Sequence, residues 1–474
     1  MKRAVVVGVF LNCAAFLLLS ARPSSASPDL KLPSMKPPVP DALGKATNDK
    51  EVMEELALLG ESYEAYANYH GFKLDTINVT TEDGVVLAIH RVRQMDIYSD
   101  KDSTPVVLSH GFASSSFDFM ANPRNESLVF TLADNGYDVW GVNYRGNTVS
   151  ARTVDSNKPG PKFYYKATWQ YLAKYDLPAV MDYILKERGN KKVHIIGHSM
   201  GTTAVFAFLS QNHNYDDKIH MFHALNPVSL LGNDTSEGLK FMMRTAVKIP
   251  AMLHTDLGYR LAYGRPILLG NGPVSGTLFS NKLCVLSNEF CQSITSMLFN
   301  RDQSTADNPH INEARFPIYF DKYPAGATMA NIYLFSSELN RDVWIKTDYN
   351  KLKLPGMSNV EEYGQDTVPE FDFRDMKVKL ALYYSKNDVF TGVDTAKRFA
   401  DRMKKQLIPG GVHIIDGNNL SHQDTLWAWD ARCYIYNSVM NDIEQFETNK
   451  HYRKEVKKYL ESLDFEDGCV GLPP

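Results

Sequence analysis

Short runs of consecutive apolar residues recur through the first half of the chain, at 105–109, 137–143 and 193–196, each separated from the next by sequence compatible with helix. Such runs suit strands buried on both faces, and strands alternating with helices predict a mostly parallel sheet with helices on both sides. The same reading gives a helix from Glu51 to Tyr69 and two strands across Asp75 to Val92, joined around Glu82-Asp83-Gly84. It also gives a strand from His223 to Val228 and two late strands, Val378 to Tyr384 and Gly411 to Ile415. A further helix is expected at Asp176-Leu177-Pro178, with Asp176 as candidate N-cap and Val180, Met181, Ile184 and Leu185 as its apolar face.

The interval between the strands at 223–228 and 378–384 is too long for a simple crossover and reads as an inserted cap. Leu239-Lys240-Phe241-Met242-Met243 and Ile249-Pro250-Ala251-Met252-Leu253 supply it with flexible apolar side chains, suited either to an irregular apolar partner or to the cap's own core. At the start of the chain, Met1-Lys2-Arg3, an apolar stretch from Ala4 to Leu19 and Ala21-Arg22-Pro23-Ser24-Ser25-Ala26 follow the order of a secretory signal peptide cleaved after Ala26. Prolines 28, 33, 37, 38 and 40 then mark an extended spacer. The expected division is a signal peptide over 1–26, a Pro-rich spacer over 27–48, a first core segment over 49–228, a cap over 229–375 and a second core segment over 376–474.

Composition narrows the setting. Loss of Lys2, Arg3 and Arg22 with the leader moves the formal charge from −4 to −7, which argues against nucleic-acid binding. No later segment is long and uncharged enough to span a bilayer, so the mature chain is expected to lack a transmembrane segment. In an oxidising compartment Cys284, Cys291, Cys433 and Cys469 can form disulfides, and the short spacing of Cys284 and Cys291 suggests a local bridge. No His stands beside that pair at zinc-ligand spacing, so no metal is expected. Sequons at Asn78, Asn125, Asn233 and Asn419 are candidate glycosylation sites.

The chemistry concentrates at Val193-His194-Ile195-Ile196-Gly197-His198-Ser199-Met200-Gly201. A β-branched run, a Gly-x-Ser-x-Gly turn and then the helix-compatible Thr202 to Leu209 are the context of the nucleophile elbow of an α/β-hydrolase fold. Ser199 is the candidate nucleophile, with Gly197, His198 and Gly201 completing the elbow. That fold requires an acid and then a histidine after later strands, and Asn387-Asp388 and Ser421-His422 occupy those loops. Asp388 and His422 are therefore the candidate partners. Asp394 and Asp416 are rival acids, the first placed deep in the following helix and the second too close to its own strand. The fold's oxyanion donors fall on the backbone N–H groups of Met200 and of Phe112 in Ser109-His110-Gly111-Phe112. A serine–histidine–aspartate set of this kind hydrolyses esters through an acyl-enzyme without a cofactor.

From about Tyr63 to Asn437 the sequence resembles the acid lipase family, which includes lysosomal acid lipase and gastric lipase. The resemblance is carried by Thr81-Glu82-Asp83-Gly84, His110-Gly111-Phe112, Gly136-Tyr137-Asp138-Val139-Trp140, Asn143-Tyr144-Arg145-Gly146-Asn147-Thr148, Ala173 to Ala179, Gly197 to Gly201, Pro324-Ala325-Gly326, Asn387-Asp388 and Ser421-His422-Gln423-Asp424-Thr425-Leu426-Trp427. It implies Ser199, Asp388 and His422 as the triad and Phe112 and Met200 as oxyanion donors. It further implies hydrolysis of triacylglycerols or cholesteryl esters at a lipid–water interface beneath a mobile cap, in the lysosome or outside the cell. Where the family pattern has Gln after the nucleophile and Gly-Leu-Leu in the oxyanion loop, this chain has Met200 and Gly111-Phe112-Ala113. Two alternatives remain: a secreted carboxylesterase on short soluble esters, separable by its indifference to an emulsion interface, and a lipid-binding protein of the same fold without catalysis.

Overall fold

The computed structural model describes residues 50–94, 102–156, 160–246, 310–339, 341, 344–354, 356–416 and 420–462. Eight strands form its central sheet: β1 (Phe72–Thr80), β2 (Val86–Gln94), β3 (Pro105–Ser109), β4 (Asp138–Gly141), β5 (Val193–His198), β6 (Ile219–Leu225), β7 (Lys379–Ser385) and β8 (Leu407–Ile415). They lie in the order β1-β2-β4-β3-β5-β6-β7-β8. β2 runs antiparallel to both its neighbours, and all pairings from β4 to β8 are parallel.

The central strands β3, β4 and β5 are buried at every position, which is why their sequences read as unbroken apolar runs rather than alternating ones. Alternation still decides which side each residue serves. Val107 and Ile195 join the core on one face with Phe206 and Leu177, whereas Val106, Leu108 and Ile196 join the core on the other with Phe130 and Trp427. The expected α/β class and mostly parallel sheet are thus observed.

Three local expectations need correction. The N-terminal helical stretch is two helices, Lys50–Glu61 and Tyr63–Tyr69, because Ser62 turns extended and caps the second by accepting from Ala65 N at 3.0 Å. Strand β6 stops at Leu225, three residues early, because Asn226 takes φ 41°. Asp176 is not an N-cap. It is helical itself, at the end of a π-helical turn (Leu172–Asp176) that leads into the helix Leu177–Glu187, and its carboxylate binds Arg145 instead. A buried guanidinium is a stronger attractor than a helix end whose preceding turn already supplies hydrogen-bond partners.

Between β6 and β7 the described residues form further helices, among them Glu237–Ala246, Phe316–Lys322 and Met329–Glu338, and a two-residue ladder pairing Trp344–Ile345 with Glu370–Phe371. Leu239 and Met243 of the first apolar segment expected in the cap are buried and Phe241 is exposed. The second, 249–253, lies outside the described residues, as do the signal peptide and spacer expected over 1–48. Among the described residues, no helix is long and apolar enough to cross a membrane.

Candidate active site

β3 has β4 on one side and β5 on the other, so the connections leaving β3 and β5 depart in opposite directions and open a crevice at their carboxyl ends. Ser199 stands there. It follows directly on β5 with φ 54° and ψ −126°, before the helix Met200–Gln211 begins. A residue with a Cβ keeps that conformation only where its surroundings over-determine it. The flanking glycines supply the constraint. A Cβ on Gly201 would lie 2.2 Å from the Ser109 carbonyl oxygen and 2.5 Å from that of His110, so only glycine lets the helix start beneath the end of β3.

Pairing of β3 with β5 sets Ser109 opposite Gly197, and this brings the loop after β3 over Ser199. A Cβ on Gly111 would reach Ser199 Cβ at 3.0 Å. Phe112, half-buried, and Met200 line a narrow cleft together with Ala113, Leu172 and Ala327. The backbone N–H groups of Phe112 and Met200 make no hydrogen bond among the described residues. His110 holds this loop in place: its Nδ1–H donates to the Gly111 carbonyl at 2.8 Å and its Nε2 accepts from Tyr144 N at 3.2 Å. Burial lowers its pKa to about 4, so the ring is neutral and keeps this donor–acceptor pattern.

The structure brings the other two candidates together. His422 Nδ1–H donates to Asp388 Oδ2 at 2.7 Å, both side chains being buried. Asp388 Oδ1 accepts from the backbone N–H groups of Phe390 at 2.7 Å and Thr391 at 3.2 Å, which fixes the carboxylate from behind. His422 Nε2 is buried and has no hydrogen-bond partner among the described residues. With Nδ1 protonated toward Asp388, that nitrogen is an open acceptor. The rival acids are elsewhere: Asp394 is exposed in the first turn of the helix Val393–Arg402, and Asp416 is exposed and paired with Lys386 at 2.9 Å.

Two residues with important bonds were not singled out from the sequence for these roles. His198 Nε2–H donates to the His422 carbonyl at 3.1 Å, its ring lying 5.0 Å from that of His422. Burial first, and the neighbouring His422 second, hold its pKa well below the ordinary histidine range. Asn226 donates from Nδ2 to the His422 carbonyl at 3.1 Å and to Thr425 Oγ1 at 2.6 Å, while its Oδ1 accepts from Ser385 N at 2.7 Å. It thereby ties the ends of β6 and β7 to the histidine loop. The signal was present as an Asn-Pro step directly after an apolar strand, since Asn tolerates positive φ better than most residues.

Asn78, Asn125 and Asn233 are exposed, and Asn78 accepts a hydrogen bond from Arg152. Asn419, Cys284 and Cys291 lie outside the described residues. Cys433 is disulfide-bonded. Among the described residues, no group of three or more His, Cys, Asp or Glu side chains could hold a metal ion.

Residues 104–262 match the family described as alpha/beta hydrolase fold, and residues 63–123 match the partial alpha/beta-hydrolase lipase region. Gastric triacylglycerol lipase of Rattus norvegicus is 29% identical over 79% of this chain and 89% of its own length. Lipase 3 of Drosophila melanogaster is 26% identical over 80% of this chain and 91% of its own length. Lipase member M of Mus musculus is 28% identical over 80% and 84%. The strand order, the strained Ser199 turn and these matches agree on an α/β-hydrolase fold, in a chain whose sequence is similar to gastric triacylglycerol lipase.

Proposed function

We propose that the protein is a serine lipase, a carboxylic ester hydrolase acting on neutral lipid esters such as triacylglycerols or cholesteryl esters. The observation that carries this reading is Ser199, held in a strained turn directly after β5, whose neighbour His198 is bonded to the carbonyl of a His422 that is itself bonded to Asp388. His422 Nε2 takes the Ser199 proton as Oγ attacks the ester carbonyl, and later returns it to the leaving alcohol. Asp388 orients the ring and stabilises the imidazolium. The Phe112 and Met200 N–H groups receive the oxyanion, so their side chains are free to depart from the family pattern. Water then repeats the cycle on the acyl-enzyme.

The lipid specificity rests on the relatives' names, and the remaining assignments on the sequence. Residues 229–375 form the cap over this site, between core segments 49–228 and 376–474. Residues 1–26 direct the chain into the secretory pathway, toward the lysosome or the exterior, with glycans at its sequons. Cys284 pairs with Cys291, and non-reducing peptide mapping checks that pairing. The deciding experiment compares triolein, cholesteryl oleate and a soluble butyrate ester as substrates of the purified protein, with Ser199→Ala as control. Long-chain esters hydrolysed faster at an emulsion interface support the lipase reading. Turnover confined to the soluble ester would make it a carboxylesterase, and absence of any Ser199-dependent hydrolysis would leave a lipid-binding protein.

A further inference from the structure

The arm that carries the oxyanion loop continues into a short 3-10 helix, Ser116–Met120, which packs against the helix Asp424–Trp427 directly after His422. One clamp between them is structural: Asn122 Nδ2 donates to the carbonyls of Trp427 at 3.1 Å and Ala428 at 3.3 Å. The other involves Asp118, only 1% exposed, whose Oδ2 accepts from Ser114 Oγ at 2.6 Å. The Gln423 side-chain amide interacts with the same carboxyl. Asp118 Oδ1 and Gln423 Nε2 are nevertheless both buried without a well-formed hydrogen bond.

We propose that Asp118 is a positioning residue for His422, acting through the adjacent Gln423 amide to hold the histidine loop against the loop that carries the Phe112 oxyanion donor. This rests on the assignment of Ser199 and His422 proposed above. Gln423 follows His422 with no intervening residue, so a shift of its side chain turns the backbone that carries the imidazole. A misplacement of about 1 Å at a reacting group can cost as much as 10²-fold in rate.

Among the described residues, Asp118 has no cationic partner. Facing it are Ser114, Gln423 and the phenols of Tyr63 and Tyr323. Lys322 lies over the Tyr63 ring but is paired with Asp321 at 2.9 Å. On the neighbouring strand, His90 is bonded to Ser116 Oγ at 2.7 Å, and burial lowers its pKa to about 4, so it is neutral. Burial accordingly raises the Asp118 carboxyl to about 7, opposed by its bond to Ser114 and the nearby Gln423 amide. The group is a neutral acid under acidic conditions and a desolvated carboxylate above neutrality. Because its folded pKa lies above the unfolded value, the stability it contributes is full at low pH and is lost as pH rises toward 7.

The test uses the full-length mature protein and a soluble butyrate ester, with fluorophosphonate labelling of Ser199 as a second readout. Asp118→Ala should lower kcat about tenfold at unchanged KM and slow labelling equally, and Asp118→Asn should recover most of both. Gln423→Leu should reproduce the Asp118→Ala loss, and the double variant should be no worse than either single one. Asp118→Asn should also remove an ionisation near pH 7 from the kcat/KM profile and raise the melting temperature more at pH 8 than at pH 5. The inference is overturned if Asp118→Ala lowers the melting temperature while labelling of the folded protein keeps its wild-type rate, if the Asp118 and Gln423 losses multiply, or if Asp118→Asn leaves both pH profiles unchanged. A wild-type enzyme that is neither labelled nor active would overturn the functional assignment instead.

Discussion

Two buried ionic systems serve the same end of the sheet, and they differ in how completely they are filled. Arg145 donates from Nε and its backbone N–H to Asp176 at 2.7 and 2.9 Å, and from Nη1 and Nη2 to Asp83 at 2.6 and 2.8 Å, with Tyr175 against its face. Burial raises the Asp176 pKa although Arg145 opposes it, while at the less buried Asp83 the Arg145 contacts prevail and hold the carboxyl below its ordinary range. In the His422–Asp388 pair the carboxylate is as well satisfied, yet one ring nitrogen is open. His110 repeats the contrast within one residue type, since both of its nitrogens are bonded. A saturated buried polar group is fixed in place by its partners, whereas an unfilled position keeps a lone pair or proton available.

The contrast can be broken most directly at the open side. Ser199→Ala and His422→Ala should each lower turnover by about 10⁶, with the double variant no worse and the melting temperature little changed. Covalent fluorophosphonate labelling that persists in Ser199→Ala would mean another residue is the nucleophile. Next in size is Asp388→Asn. It keeps an oxygen for the Phe390 and Thr391 N–H groups but offers His422 the wrong partner, so kcat should fall about 10⁴-fold with near-native stability. Asp394→Ala or Asp416→Ala having the larger effect would transfer the acid's role.

At the saturated side the effect should move from rate to stability. Arg145→Met leaves the buried Asp176 carboxylate uncompensated and takes the partner from the more exposed Asp83, which costs roughly 3–5 kcal/mol of folding free energy. The folded fraction should turn over within a few-fold of wild type, as judged by urea unfolding and active-site titration together. Loss of turnover at unchanged stability would erase the distinction between the two systems.

A smaller effect, visible only against pH, belongs to His110. Its folded pKa of about 4 lies below the unfolded value of about 6.5, so its contribution to stability is full above pH 6.5 and is lost as pH falls toward 4, by roughly 3 kcal/mol. Replacing it by Gln should shrink the stability difference between pH 7 and pH 4.5 measured in urea. An unchanged difference would show that His110 is not held neutral by its bonds and burial.

The fold class, the strand run with Ser199 after it, and the loops of Asp388 and His422 were all legible from local pattern, because each depends on a strand ending where an apolar run ends. The glycines of the elbow could be read as well, for their reason is steric and local. Asp176 could not, because its role is set by Arg145, 31 residues away in sequence and 2.7 Å away in space. The limit of β6 was missed for a similar reason: Asn226 leaves the strand to bond the ends of β7 and the histidine loop.

By itself, then, the sequence determined which segments are strands, which residue stands at the sharp turn, and the order in which nucleophile, acid and base candidates occur. Only tertiary structure decided which polar groups are satisfied. It filled Arg145 and His110, left His422 Nε2 open, and set the half-closed contact between Asp118 and Gln423. The reason is physical: apolar periodicity is a property of neighbours along the chain, whereas a hydrogen bond's strength in a buried site depends on partners that arrive from distant strands and on the water they exclude.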